Sequence, residues 1–131
     1  NKVILFTGAQ KPVESKVIEL KDEVKSIFYN ENQFGLVYDG EKGSSNRLEL
    51  YQLSGEKRQE LNFDIDDKKV EILDNGELCI QGEDSCEIYN AKGICKFKYQ
   101  FKEYLYKVLS GNMQTDYTFI LEGETQKVKL K

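Results

Sequence analysis

"IYNAKGICKFKYQF", residues 88–101, is the stretch on which the fold turns. A short apolar run closes on Gly93. Phe97, Tyr99 and Phe101 then occupy every second position among Lys96 and Lys98, with Lys102 and Lys107 following. A period of two describes a strand with two different faces. It also describes an aromatic platform in a basic groove, as a single-strand nucleic-acid binder would use. Recurrence separates the two readings, because a position that changes freely between copies is packing. "VILFTG" ends at Gly8 and "LYQLSG" at Gly55, each a short apolar run closed by glycine. Tyr51 and Tyr89 stand four residues before their glycines, and Ile4 holds that place in the first copy.

The likeness continues downstream. Phe63 and Phe101 each lie eight residues after their glycine, and Leu20 matches them once the insertion "KPVE" (11–14) is allowed for. Seven residues further on come Ile27, Val70 and Val108. The glycine-to-glycine spacings are 47 and 38, and the longer one gains its length mainly in the polar loop "DGEKGSSN" (39–46). Gly/Ser loops of this kind tolerate insertion. In the first copy Gln59, Leu61 and Phe63 stand where the second has Phe97, Tyr99 and Phe101. The aromatic stripe is therefore read as packing, and its lysines as the solvated face of an outer strand, where they also guard the sheet edge.

Written out, the unit has four strands, a to d. The complete copies place them at about 25–29, 35–38, 47–52 and 58–63, then 69–73, 77–81, 86–90 and 94–101, with Asn75-Gly76 and Gly82–Ser85 as turns. Residues 2–7 and 16–20 read as strands c and d of a preceding unit. A last unit starts near Leu105, passes through "YTFIL" (117–121) and reaches "TQKVKLK" (125–131). The segment "VESKVIELKDEVKSIF" (13–28) carries apolar residues at spacings of three and four, but strands are the preferred reading there too. Four short antiparallel strands at a period near 40 describe β-propeller blades. The expected fold is all-β: a partial propeller of about three four-stranded blades, cut from a larger one. Its boundaries are 1–23, 24–65, 66–103 and an incomplete 104–131.

Composition agrees with one domain of this class. The 131 residues include eight Tyr, seven Phe, ten Gly and one Pro. A net charge of −4 and a pI near 5.0 supply no field that would draw the chain to nucleic acid. There is neither an apolar run of about 18 residues nor a signal peptide in the sequence, so any membrane anchor is expected outside it.

"LELYQLSGE" (48–56), "DNGELCI" (74–80) and "CEIYNAKG" (86–93) resemble the degenerate repeats of an uncharacterised bacterial family of membrane-anchored, extracytoplasmic β-propellers. The resemblance covers essentially the whole chain. It implies a cytoplasmic tail, one transmembrane helix and a propeller outside the membrane, and brings no catalytic residues with it. The His and Trp-Asp signals of WD-type blades are absent from the chain.

No histidine occurs, which removes triads and imidazole metal sites. "DIDDKK" (64–69) gathers Asp64, Asp66 and Asp67, but lacks calcium-loop spacing and reads as a solvated turn. Cys79, Cys86 and Cys95 have no C-x-x-C spacing. If Ile80 faces Cys86 across its hairpin, Cys79 and Cys86 point to opposite faces, so three free thiols are expected. Gly40 and Gly43 belong to a hairpin connection and not to a phosphate loop.

The functional expectation is a non-catalytic scaffold, without cofactor or metal, that binds a protein or cell-surface partner. Its candidate rim comprises Asp39, Glu41, Lys42, Asn46, Glu83, Asp84, Asn112 and Asp116, taken as loops on one side. Two alternatives stand beside it: a carbohydrate-active enzyme using channel carboxylates, and an anionic-polymer binder using the 96–107 strand. Open strand edges and exposed blade faces further imply that the isolated segment self-associates.

Overall fold

The computed structural model describes residues 2–8, 10–41, 45–64, 69–113 and 115–130. Among them there are thirteen strands and no helix. The chain divides into two compact units, residues 1–64 and 65–131.

The first unit holds two antiparallel sheets. One pairs β1 (Lys2–Thr7) with β2 (Val13–Glu19). The other runs in chain order through β3 (Ser26–Tyr29), β4 (Gln33–Tyr38), β5 (Asn46–Gln52) and β6 (Lys57–Phe63). Val3, Leu5, Ile18, Leu20 and Val24 pack onto Phe34, Leu36, Tyr38 and Tyr51, and the Phe34 and Tyr51 rings stack at 5.3 Å. The helical spacing of residues 13–28 thus gives way to two strands: pairing with β1 and β4 sets the conformation, Ile18, Leu20 and Val24 pack onto the core, and Val13, Val17 and Ile27 stay exposed.

The second unit also holds two antiparallel sheets, of four and three strands. β7 (Lys69–Ile72), β8 (Leu78–Gln81), β9 (Ser85–Tyr89) and β10 (Cys95–Gln100) form one meander. β11 (Leu105–Ser110), β12 (Asp116–Leu121) and β13 (Glu124–Lys129) form the next. Their shared core joins Leu73, Cys79, Cys86 and Ile88 to Leu105, Val108, Tyr117, Phe119 and Leu121. Two members of the aromatic stripe, Phe97 and Phe101, pack in or against that core, while Tyr99 is more than half exposed. Phe119, fully buried, lies 5.2 Å from both the Phe97 and Phe101 rings, and Tyr99 closes the stack edge-on against Phe101. Burying one such phenylalanine is worth about 1.5–3 kcal/mol.

The glycines found by repetition have one physical cause. Gly8, Gly55 and Gly93 have φ of 97°, 91° and 81°, a region L side chains rarely adopt. Gly55 and Gly93 close the same turn: the glycine N–H donates to the carbonyl of Gln52 or Asn90, whose own N–H donates to the carbonyl of Glu56 or Ile94. Beyond each turn one residue of the outer strand is skipped in the pairing: Ser15, Arg58 and Lys96. Arg58 and Lys96 lie three residues after their glycine, and Ser15 does too once the four-residue insertion is removed. A glycine turn followed by a β-bulge is therefore the repeated device.

The cysteine expectation is corrected. Gly82 N–H donates to the Ser85 carbonyl, leaving a two-residue loop, so Gln81 rather than Ile80 faces Cys86 and Cys79 faces Ile88. A one-residue change of register reverses every face. Cys79 and Cys86 consequently share the buried face, still as free thiols. Burial pushes Cys79 well above its ordinary value and Cys86 up to about 12, so both are apolar thiols at neutral pH.

Two glycine substitutions separate backbone strain from crowding. A Cβ at Gly76 (φ 87°) meets nothing within 4 Å, whereas one at Gly55 comes 2.4 Å from Lys16 Cδ and 2.9 Å from Leu5 Cδ1. Gly76→Ala should cost about 1 kcal/mol from φ alone, and Gly55→Ala more, read as the larger fall in midpoint by thermal circular dichroism. Equal losses would show that contact with β1 and β2 does not contribute.

Candidate functional site

Buried carboxylates mark the places where this fold departs from simple apolar packing. In the second unit, Glu77 is almost wholly buried at the end of the β7–β8 turn. It accepts from Asn75 Nδ2 at 2.9 Å and from the Tyr117 hydroxyl, and pairs with Lys96 Nζ at 2.9 Å. The bulge at Lys96 helps to place that ammonium, which also lies 5.3 Å above the Tyr117 ring. Burial lowers the Lys96 pKa, but the bonds to Tyr117 and Glu77 outweigh it and hold the ammonium above its ordinary value. The cluster ties the β7–β8 turn, β10 and β12 together. It works as a structural clamp, since its polar groups face each other.

The first unit carries a different arrangement. Glu49 on β5 lies two residues before Tyr51 on the same face and accepts the Tyr51 hydroxyl at 3.3 Å. Tyr38 also bonds Glu49, and burial followed by that bond raises its phenol well above 10.0. Arg47, opposite Tyr38 across the sheet, lies 4.3 Å from that ring's centroid and reaches Asp22 at 2.9 Å. Lys57 bridges Glu49 at 3.3 Å and Glu60 at 2.9 Å. With Glu19, Leu20 and Lys21 these residues line a cleft of roughly 350 Å³. The Lys57 bond holds Glu60 below its ordinary carboxylate value, while Asp22 raises the guanidinium of Arg47. Such a site offers fixed donors and acceptors. An ionised Glu60 is not a proton donor at neutral pH.

The rim residues fall into separate places. Asn46 is buried and accepts from Gly40 N–H, folding the β4–β5 connection onto itself; Asp39 and Glu41 lie in that connection. Lys42 lies outside the described residues, as do Asp66 and Asp67 of the carboxylate run. Glu83 and Asp84 act through their carbonyls, accepting from Leu105 N–H at 2.7 Å and Phe101 N–H at 2.6 Å. Asn112 lies in the β11–β12 connection and Asp116 opens β12. That loop joins a first strand to a second, whereas the Glu83–Asp84 turn joins a second to a third. Leu105 at one end of β11 meets Glu83, and Ser110 at the other accepts from Asn75. The two loops therefore stand at opposite ends of β11, not on one side.

Across residues 1–130 the sequence matches the model of a family of unknown function. The chain belongs to DUF5711. No curated protein matches it. Among the described residues of this DUF5711 chain, no group of three or more His, Cys, Asp or Glu is placed to hold a metal ion. Sequence reasoning passed over the Glu49 cleft because its members are scattered from Asp22 to Glu60. The pair Glu49-x-Tyr51, repeated as Glu87-x-Tyr89, was the available signal.

The Tyr38 phenol gives the cleft a titration signature. Its folded pKa is raised, so its stabilisation is complete below about pH 10 and is lost as pH climbs through the folded value. Tyr38→Phe should lose about 0.5–1.5 kcal/mol at pH 8 and then fall less steeply than the parent in thermal melts between pH 10 and 11.5. Parallel slopes would remove Tyr38 from the coupling.

Proposed function

We propose that this DUF5711 chain is a propeller segment outside the cytoplasm, anchored through a part of the protein beyond these residues, and that it works as a non-catalytic scaffold for a protein or cell-surface ligand. The observation that carries the reading is the contrast between copies. The glycine turn and bulge recur in three hairpins, whereas the polar groups around them change from sheet to sheet. Constancy belongs to the support, and variation to what it presents. The extracytoplasmic placement rests on the repeat resemblance.

Two observations favour binding over the alternatives. Of Lys96, Lys98, Lys102 and Lys107 in the basic strand region, three face a carboxylate, Lys96, Lys98 and Lys107 at 2.9, 3.6 and 2.7 Å, so that region offers a polyanion less charge than its lysines suggest. Glu49, Glu77 and Glu87 are each engaged by a tyrosine and a lysine, an arrangement that holds a carboxylate in place.

The rim is tested on the full-length protein displayed on its own cell surface, by crosslinking and capture. Replacing Glu83–Asp84 by Ser-Gly retains both carbonyl contacts, and replacing 111–116 by a Gly/Ser linker alters the opposite end. Loss of capture in one variant, with folding intact, identifies the binding end. Capture that survives both would move the surface elsewhere.

Self-association follows from the first unit. Among the described residues the β1–β2 sheet pairs with no further strand, and Ile4, Phe6, Val13 and Val17 are exposed on it. Light scattering of the isolated 131 residues should show mass rising with concentration, and Phe6→Glu with Val17→Glu should suppress the rise. A parent that stays monomeric throughout would contradict this.

A further inference from the structure

The second copy of the unit reveals which parts of the Glu49 cleft the fold requires. Glu49 and Tyr51 stand six and four residues before Gly55, as Glu87 and Tyr89 do before Gly93. In both copies the tyrosine hydroxyl donates to the glutamate. A lysine also reaches the glutamate in both copies, Lys57 in one and Lys98 in the other, but from different positions, and Tyr38, Arg47 and Glu60 have no counterpart. Leu36 faces Glu49 as Ile80 faces Glu87, which sets Tyr38 against Gly82 and Arg47 against Ser85. Counting from the glycines sets Lys57 against Cys95 and Glu60 against Lys98. The β7–β10 sheet forms without a phenol, guanidinium or carboxylate at those four positions, and its one ammonium there, Lys98, stands where the first copy has Glu60. In the first unit all four converge on one cleft.

We infer that this cleft is a binding site for a neutral polyhydroxylated ligand, a mono- or disaccharide unit, an inference that rests on reading the chain as a binding scaffold. Its chemistry is alternating: Arg47 lies between Asp22 and Glu60, and Lys57 between Glu49 and Glu60, all within 4 Å. An anion approaching either cation meets a carboxylate beside it, and a cation approaching the carboxylates meets Arg47 or Lys57. A sugar hydroxyl instead accepts from guanidinium or ammonium while donating to carboxylate, so neighbouring hydroxyls match the pattern without separating an ion pair. The volume falls at the lower end of the roughly 300–1,000 Å³ typical of small-molecule clefts. Tyr38 and Tyr51 fix Glu49 from below, so the acceptor is oriented before any ligand arrives.

The test is nuclear magnetic resonance titration of the ¹⁵N-labelled chain with N-acetylglucosamine, glucose, cellobiose and maltose, alongside inorganic phosphate and methylammonium. At least one saccharide should produce saturable shifts at Arg47 Nε–H, Lys57 and the amides of residues 20–22, in the millimolar range, and neither ion should. Arg47→Ser and Glu60→Lys install residues the second copy already accommodates, so amide dispersion should persist while saccharide affinity falls at least about tenfold. Absence of saturable shifts from all four saccharides overturns the proposal. So does a larger response to phosphate at the same residues, or saccharide binding indifferent to both substitutions. Such a result leaves the scaffold reading standing if whole-protein capture still depends on a rim loop; loss of both removes the two together.

Discussion

Register at the outer hairpins is the constraint on which the rest depends. Each of three hairpins turns at a glycine with positive φ and then skips one residue, Ser15, Arg58 or Lys96. A side chain at the glycine strains the turn; loss of the bulge reverses the faces of the outer strand beyond it. With the bulge in place, Leu61 and Phe63 are buried on β6 and after β10 Phe101 reaches Phe119. Local backbone geometry thereby decides which residues make the core, and the core in turn holds sheets of only two to four strands that would be marginal alone.

Polar groups inside the two units obey the same logic of fixed position. Leaving a carboxylate buried without partners costs several kcal/mol. Glu77 meets Asn75, Tyr117 and Lys96, from two strands and a turn, so the clamp forms only when both sheets of the second unit are in place. Glu49 is held by two phenols and a lysine, but its surroundings open to a cleft. One arrangement closes on itself and the other presents its groups outward. That difference, and not the mere presence of buried acid, distinguishes clamp from candidate site.

Repetition made most of the strands legible. A glycine at Gly8, Gly55 and Gly93 can be counted without a structure, and the strand positions drawn from it agree with β1 through β13 to within a few residues. Two things escaped. The pairing of Cys86 with Gln81 depends on whether the loop between β8 and β9 holds two residues or more, a choice made by one backbone bond from Gly82 to Ser85. The separation of Glu83–Asp84 from Asn112–Asp116 depends on which strands each loop joins. Both loops are polar and similar in composition, and only the hydrogen bonds of Leu105 and Asn75 distinguish their ends.

The strand class, the glycine turns and the packing of Phe97 and Phe101 are legible in the sequence alone, because alternation and glycine placement act over a few residues; the exposure of Tyr99 is not. Tertiary structure decided the cleft. Asp22, Tyr38, Arg47, Glu49, Lys57 and Glu60 come from a connection and three strands, and their chemistry depends on charges within 4 Å of one another. No local pattern encodes such distances; they arise when antiparallel pairing places β4, β5 and β6 side by side and packing brings the end of β2 over them.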